Sequence, residues 1–401
     1  MDFQKRLREW NQGALRLAAV LSCALIPTVS LSEEGAVKLS PRLEIEYSRN
    51  DNFFYQRTNK VVGSGLILSP SVLLAAESSR IRTRALISAN YAQFDTRGDD
   101  DNYFDQTLQG DFTYKAGTSH LISVDGSVQH GHDAFGQART QGIALVNGEL
   151  DRWMRGGGEL RYRYGAPEAL LNFEISGAGS RKIYTSNTAA TEVLNYGTYE
   201  GSLTTFLNIS PKTALLAEGG YKEVRIDRLF GPTDNREASE FFGRVGARWK
   251  ATAKTSGDVR AGWAERRSDA TGARIFQRFD WTASVTWLPS ERTTLNVLTG
   301  SKSQESYLAG APVISNRSAD LSWKQKWSQR WASTLNTGYT QSEFVNTART
   351  DDISDVGLRF DYRAEKYLSF GLGAGYLHRY STAPLVNFNG IRISSSMSLD
   401  F

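Results

Sequence analysis

The sequence predicts an all-β fold: a single transmembrane antiparallel up-and-down β-barrel of about 18 strands, with short periplasmic turns and longer extracellular loops. Three observations carry that expectation. Apolar and polar residues alternate with a period of two from residue 41 to the last residue, with no helical interval. The connections between the alternating segments are short and long by turns. No run after the N-terminus reaches the length of a membrane-spanning helix, a test that half-apolar barrel strands escape.

Composition agrees. The 401 residues include 36 glycines, 11% aromatics and only 9 prolines, a mix suited to long strands and aromatic girdles rather than to a disordered chain. At the N-terminus Lys5, Arg6, Arg8 and Arg16 precede the apolar run LAAVLSCALIP (17–27) and then the small residues TVSLS. A basic segment, a short apolar run and small residues at its exit predict a signal peptide over 1–32, cleaved after Ser30 or Ser32. The only cysteine, Cys23, falls inside it, so disulfide or thiol chemistry is not expected in the mature chain. Residues 33–40 read as a short periplasmic N-terminal segment and 41–401 as the barrel. The first strand follows so soon that no plug domain is expected.

In chain order the expected strands are 41–49, 61–77, 80–95, 102–116, 119–133, 149–165, 169–185, 195–210, 213–228, 239–253, 257–268, 274–289, 292–306, 317–329, 331–345, 352–364, 366–382 and 389–401. In the first, Leu43, Ile45 and Tyr47 oppose Arg42, Glu44 and Glu46. Pro70 lies inside the second and cannot donate to a ladder, so a bulge is expected there. Every second connection is short, such as ESSR (77–80), AGTS (116–119) and PSER (289–292). The others are longer and more polar, and FGQARTQGIALVNGE (135–149) is the longest, a candidate for folding inward as a constriction. Sorting by parity puts both termini on the short-turn, periplasmic rim.

The chain ends in GIRISSSMSLDF. Ile391, Ile393, Met397, Leu399 and Phe401 share one face of a last strand that closes the barrel against the first. Such a terminus resembles the signal read by outer-membrane assembly machinery, which is therefore an expected partner beside the outer-membrane lipids. Trp249, Trp287, Trp327 and Trp331 sit near short turns and predict a periplasmic aromatic girdle.

The opposite parity predicts the lumen. Its bases are Arg82, Arg84, Arg161, Arg163, Lys222, Arg244, Arg248, Lys250, Arg260, Arg278, Lys324, Lys326, Arg359, Arg363 and Arg392. Its acids include Glu44, Glu46, Asp111, Asp280 and Asp361. Two readings stand together: a conduit biased towards anions, in line with the formal charge of +4, or ion-pair ladders that brace the wall. His130 and His132 are expected to face outward near the outer rim, and no catalytic constellation, metal site, cofactor or nucleic-acid surface is expected.

The start of the barrel, LSPRLEIEYSRNDNFFY, with Asp51, Asn52, Phe53 and Phe54, leads into GSGLILSPSVLLAAES and ISANYAQFD. It resembles the putative β-barrel porin 2 family of outer-membrane barrels, whose members include some encoded with exopolysaccharide synthesis genes. The resemblance implies a passive outlet for a polysaccharide in the Gram-negative outer membrane, working with periplasmic and inner-membrane export components. Phe206 and Phe242 would be candidate sugar-stacking platforms. A general or anion-selective diffusion porin is the alternative reading, and a structural or adhesive barrel the second. No flat apolar patch is evident, so a monomer is expected.

Overall fold

The computed structural model describes residues 37–143, 148–229, 235–250, 254–269 and 275–401. The expected signal peptide lies outside the described residues. Eighteen strands form one closed antiparallel sheet. They are β1 (Lys38–Asn50), β2 (Gly63–Glu77), β3 (Ile81–Phe94), β4 (Tyr103–Ala116), β5 (His120–Asp133) and β6 (Asp151–Tyr164). Next come β7 (Leu171–Tyr184), β8 (Tyr196–Ser210), β9 (Thr213–Ile226), β10 (Ala238–Trp249), β11 (Thr255–Ser268) and β12 (Phe276–Ser290). The last are β13 (Thr293–Glu305), β14 (Val313–Lys326), β15 (Trp331–Phe344), β16 (Thr350–Arg363), β17 (Leu368–Ser381) and β18 (Phe388–Asp400). The outer connections are numbered L1 to L9 in chain order, L1 joining β1 to β2 and L3 joining β5 to β6.

Each strand pairs with its sequence neighbours, and β1 closes the ring against β18. Leu43 lies opposite Leu399 and Ile45 opposite Met397, so the apolar sides of the first and last strands form one surface. Phe401 donates its backbone N–H to the carbonyl of Pro41 at 3.0 Å, which ties the last residue to the first strand. Closure provides ladder partners where lipid offers none, and the alternation then turns one face outward and the other inward. Outward Ile391, Ile393, Leu160, Leu203, Val245 and Leu372 are largely exposed, as lipid-facing side chains are in the absence of lipid.

Strands of 12 to 15 residues exceed the roughly 9–11 needed to cross the hydrocarbon. In place of the expected bulge at Pro70, the β2–β3 ladder skips Ser69 and Pro70 and resumes in the same register, while Pro70 stays opposite Leu43 on β1. The missing N–H therefore costs a local gap and no shift. β14 begins at Val313, four residues before its expected start, because its outer end pairs Ile314 with Phe344 inside the mouth.

Trp249, Trp287, Trp327 and Trp331 all lie at the periplasmic ends of their strands or in the turns between them. Trp287, Trp327 and Trp331 are about half exposed. Trp331 packs on Tyr362 with ring centroids 4.6 Å apart, and Trp327 donates its indole N–H to Ser333 at 2.9 Å. Each ring meets an apolar surface while its polar edge finds a partner.

Candidate functional site

The register places nearly all of the expected lumenal charges on one continuous inner face and pairs most of them. Arg84 meets Asp111 at 2.9 Å, Arg163 meets Glu174 at 2.8 Å, and Arg161 pairs with Asp125. Arg359 bridges Asp361 (2.8 Å) and Glu44 (3.1 Å), and Arg392 pairs with Glu46. On β9–β12 the pairs join into a ladder. Arg244 reaches Asp280 (2.6 Å) and Glu218 (3.2 Å), Arg260 reaches Glu218 and Asp258 (both 2.8 Å), and Arg248 reaches Asp258 (2.7 Å). Arg82 and Lys222 share the face with no ion pair among the described residues. Lys250 is a departure: it lies beyond the last residue of β10 and is exposed at the periplasmic rim. Arg278 and Asp280 depart as well, being 8% and 0% exposed and so covered rather than lining water.

Phe206 and Phe242 are buried. The guanidinium groups of Arg163 and Arg248 both lie 4.7 Å from the Phe206 ring centre, and Arg244 lies 4.4 Å from that of Phe242. Phe206 further packs with Ala214 and Leu216. With their faces taken by arginines, the rings fill the wall and offer no stacking platform.

At the periplasmic end lies a vestibule of about 980 Å³. Arg42, Glu44, Arg359, Asp361 and Asp400 contribute to it as ion-paired groups. Arg292, Lys324, Lys326, Arg330, Arg363 and Lys366 also line it, as do Glu291 and Glu365, and none of these eight has an ion-pair partner among the described residues. The unpaired charge is therefore basic. A second cavity of about 740 Å³ lies higher, between Arg84, Asp111, Asp125, Arg155, Glu159 and Glu200.

The first part of L3, residues 134–143, turns inward and crosses the outer mouth. Phe135 packs edge-on to Phe54 of L1 at 5.9 Å, and Arg97 of L2 lies over both rings at 4.8 and 5.1 Å. Gly136, at φ +84, runs so close that a Cβ there would stand 2.1 Å from the Phe54 carbonyl oxygen. A side chain is excluded on both counts. Farther on, the Gln141 side-chain oxygen accepts from Tyr307 of L7 (3.1 Å) and from Arg349 of L8 (2.5 Å), while Gln137 accepts from Arg379 on β17 (3.1 Å). These partners belong to the far wall. Burial pushes the Tyr307 phenol up, so it stays a donor at physiological pH. Of the two histidines expected outside, His132 turns into the mouth instead, its Nδ1 3.0 Å from Asp105: the β4–β5 ladder ends at Gln106 and His130, so the tip of β5 is held by β6 alone and no longer kept in line with β4.

Residues 34–401 match the family model described as putative beta-barrel porin 2. The chain belongs to that family. It is a porin-like channel barrel of the Gram-negative outer membrane. Among solved structures it is similar to the outer membrane protein OpdK of Pseudomonas aeruginosa (9% identity, TM-score 0.46, covering 91% of this chain and 99% of that one). It is also similar to a BenF-like porin from Pseudomonas fluorescens Pf-5 (12%, 0.45, 91% and 99%) and to the siderophore receptor PirA of Acinetobacter baumannii (9%, 0.45, 93% and 81%). No curated protein sequence matches the chain.

The residues behind the family resemblance have a structural role here. Asn52 is fully buried; its amide donates to the carbonyls of Gln56 and Asn389 (both 2.8 Å), and its oxygen accepts from the Gln56 N–H (2.8 Å). Asp51 accepts from the N–H of Ile391 at 2.7 Å. The motif thus seals the β1–β18 closure at its outer end and delivers Phe54 to the mouth. Sequence reading missed Gln137, Gln141 and Arg349, since polar residues in loops carry no periodic signal of where they dock.

Proposed function

We propose that the protein is a selective channel for small anionic solutes, with a basic periplasmic vestibule setting the selectivity and L3 restricting the outer mouth. The uncompensated charge of the vestibule carries this reading: six unpaired cations against two unpaired carboxylates. Such a basic cluster on one arc of the mouth lowers the entry barrier for anions and raises it for cations. Deeper in the bore most arginines are matched by carboxylates, so the wall adds polarity and rigidity more than net charge.

Export of an exopolysaccharide is less favoured by the same geometry. A polymer would have to thread past the L3 crossing, and the two candidate stacking rings are covered by arginine. Swelling of proteoliposomes in solutes of similar size tests the proposal. Gluconate should enter faster than glucosamine, and Lys324→Glu with Lys326→Glu and Arg363→Glu should reverse the order. Equal rates for both solutes in the unmodified protein would refute it.

A further inference from the structure

The wall is not uniformly closed. β12 and β13 pair from Thr282 with Gly300 down to the periplasmic turn, but above that point no residue of β13 stands opposite Phe276–Trp281. This is the longest interruption of the ladder among the described residues. β13 continues upward paired only with β14, as far as Glu305 opposite Val313.

Side chains show where its upper half goes. Arg278, on the lumenal face of β12, donates to the Ser301 carbonyl (3.0 Å) and to the Ser303 hydroxyl (3.1 Å). Arg266, on the lumenal face of β11, pairs with Glu305 at 2.8 Å. Ser301, Ser303 and Glu305 are all buried, whereas the intervening Lys302 and Gln304 are exposed. The upper half of β13 therefore tucks behind β12, and the two wall edges overlap like the ends of a scroll. Polar side chains hold the overlap where a backbone ladder holds the rest of the barrel. One oxygen of Glu240, beneath the tucked strand, has no hydrogen-bond partner.

The depth of the gap can be read from the outer surface. Glu265 and Gln277 face outward and bond each other at 2.8 Å, which marks the upper edge of the apolar band. One step below lie Trp263, Phe279 and Trp281, with centroids 5.7 and 5.6 Å apart in sequence. The unpaired edge of β12 thus lies level with the outer leaflet. A strand edge without ladder partners at that depth is costly, and it leaves this seam the weakest stretch of the wall. Above it L3 reaches Tyr307 of L7, and Arg236 of L5 donates to the Ser306 carbonyl at 2.5 Å, pinning L7 in place.

We propose that the outer half of the β12–β13 seam is a lateral portal, through which the acyl chain of a single-chain amphiphile passes between the bore and the outer leaflet. The charged lumen accommodates the polar head, the aromatic lip at Trp263, Phe279 and Trp281 receives the chain, and the arginine contacts to β13 act as the latch. This route is independent of anion conduction through the vestibule.

The test places a bimane fluorophore on Lys302→Cys, on the bore side of the tucked strand, in a Cys23→Ser background, with Asn296→Cys on the paired part of β13 as the reference. The protein is reconstituted in vesicles containing 12-doxylstearate. Quenching several-fold stronger at position 302 than at 296 is expected, increasing further when Arg278→Gln loosens the latch. Equal quenching at both positions, or none at 302 with or without Arg278→Gln, would overturn the portal.

Discussion

The guanidinium of Arg349, between β15 and β16, donates to the side-chain oxygen of Gln141, 208 residues earlier, at 2.5 Å. L3 leaves the wall at β5, so this bond spans the mouth. Tyr307 donates to the same oxygen at 3.1 Å, making Gln141 the far anchor of the crossing.

Gln141→Ala should therefore free the crossing without disturbing the wall. Losing a hydrogen bond to a charged group shifts a two-state equilibrium by about 1.5–3 kcal/mol, or roughly ten- to a hundred-fold. Single-channel recording should show longer or larger open levels than in the unmodified protein. Gln141→Glu, which keeps an acceptor for Arg349, should retain most of the restriction.

Charge reversal in the vestibule should act on selectivity and leave conductance largely intact. Lys324→Glu with Lys326→Glu replaces two unpaired cations by anions in the approach to the bore. Anion preference should fall or invert, and the effect should shrink at high ionic strength as the Debye length contracts. Bi-ionic potentials at two salt concentrations check both parts.

The ladder on β10–β12 is expected to be sensitive to truncation at one site in particular. Arg278 bonds Glu240 at 2.7 Å and Asp280 at 2.5 Å, and all three are buried. Arg278→Leu leaves two carboxylates without that cation, a change of the kind that costs about 3–5 kcal/mol. The heat-modifiable folded band on an unboiled gel should unfold at lower temperature. Arg278→Leu combined with Glu240→Gln should recover part of the loss.

Asn52→Ala removes three hydrogen bonds, two to Gln56 within L1 and one that crosses the β1–β18 closure, and leaves the Asn389 carbonyl without its side-chain partner. Each buried group left unsatisfied costs about 1–3 kcal/mol. Urea unfolding in detergent should show a lower midpoint, with conductance of the folded fraction unchanged.

The wall was legible in the sequence because its two signals are local. Period-two alternation reports the environment of each residue, and the length of each connection reports which rim it occupies. Ile393 and Arg392 declare their faces within a few residues of chain. The contacts that make the protein specific are not local. Gln141 looks like any loop glutamine until β15 and β16 bring Arg349 to it. Ser303 and Glu305 have the parity of outward residues, yet the strand that carries them leaves the wall and buries them against Arg278 and Arg266. Arginine ladders hide for the same reason: the sequence places Arg244 on the inner face, but only the register sets Glu218 and Asp280 within its reach. Lys250 shows the limit of counting at strand ends, where one residue past Trp249 is already rim.

The most direct measurement for the anion channel is the zero-current potential of the purified protein in a planar bilayer across a potassium chloride gradient. A potential displaced towards the chloride equilibrium value, and moved towards that of potassium by Lys324→Glu with Lys326→Glu, is the expected result. A potential on the potassium side in the unmodified protein would contradict an anion channel selected by its vestibule.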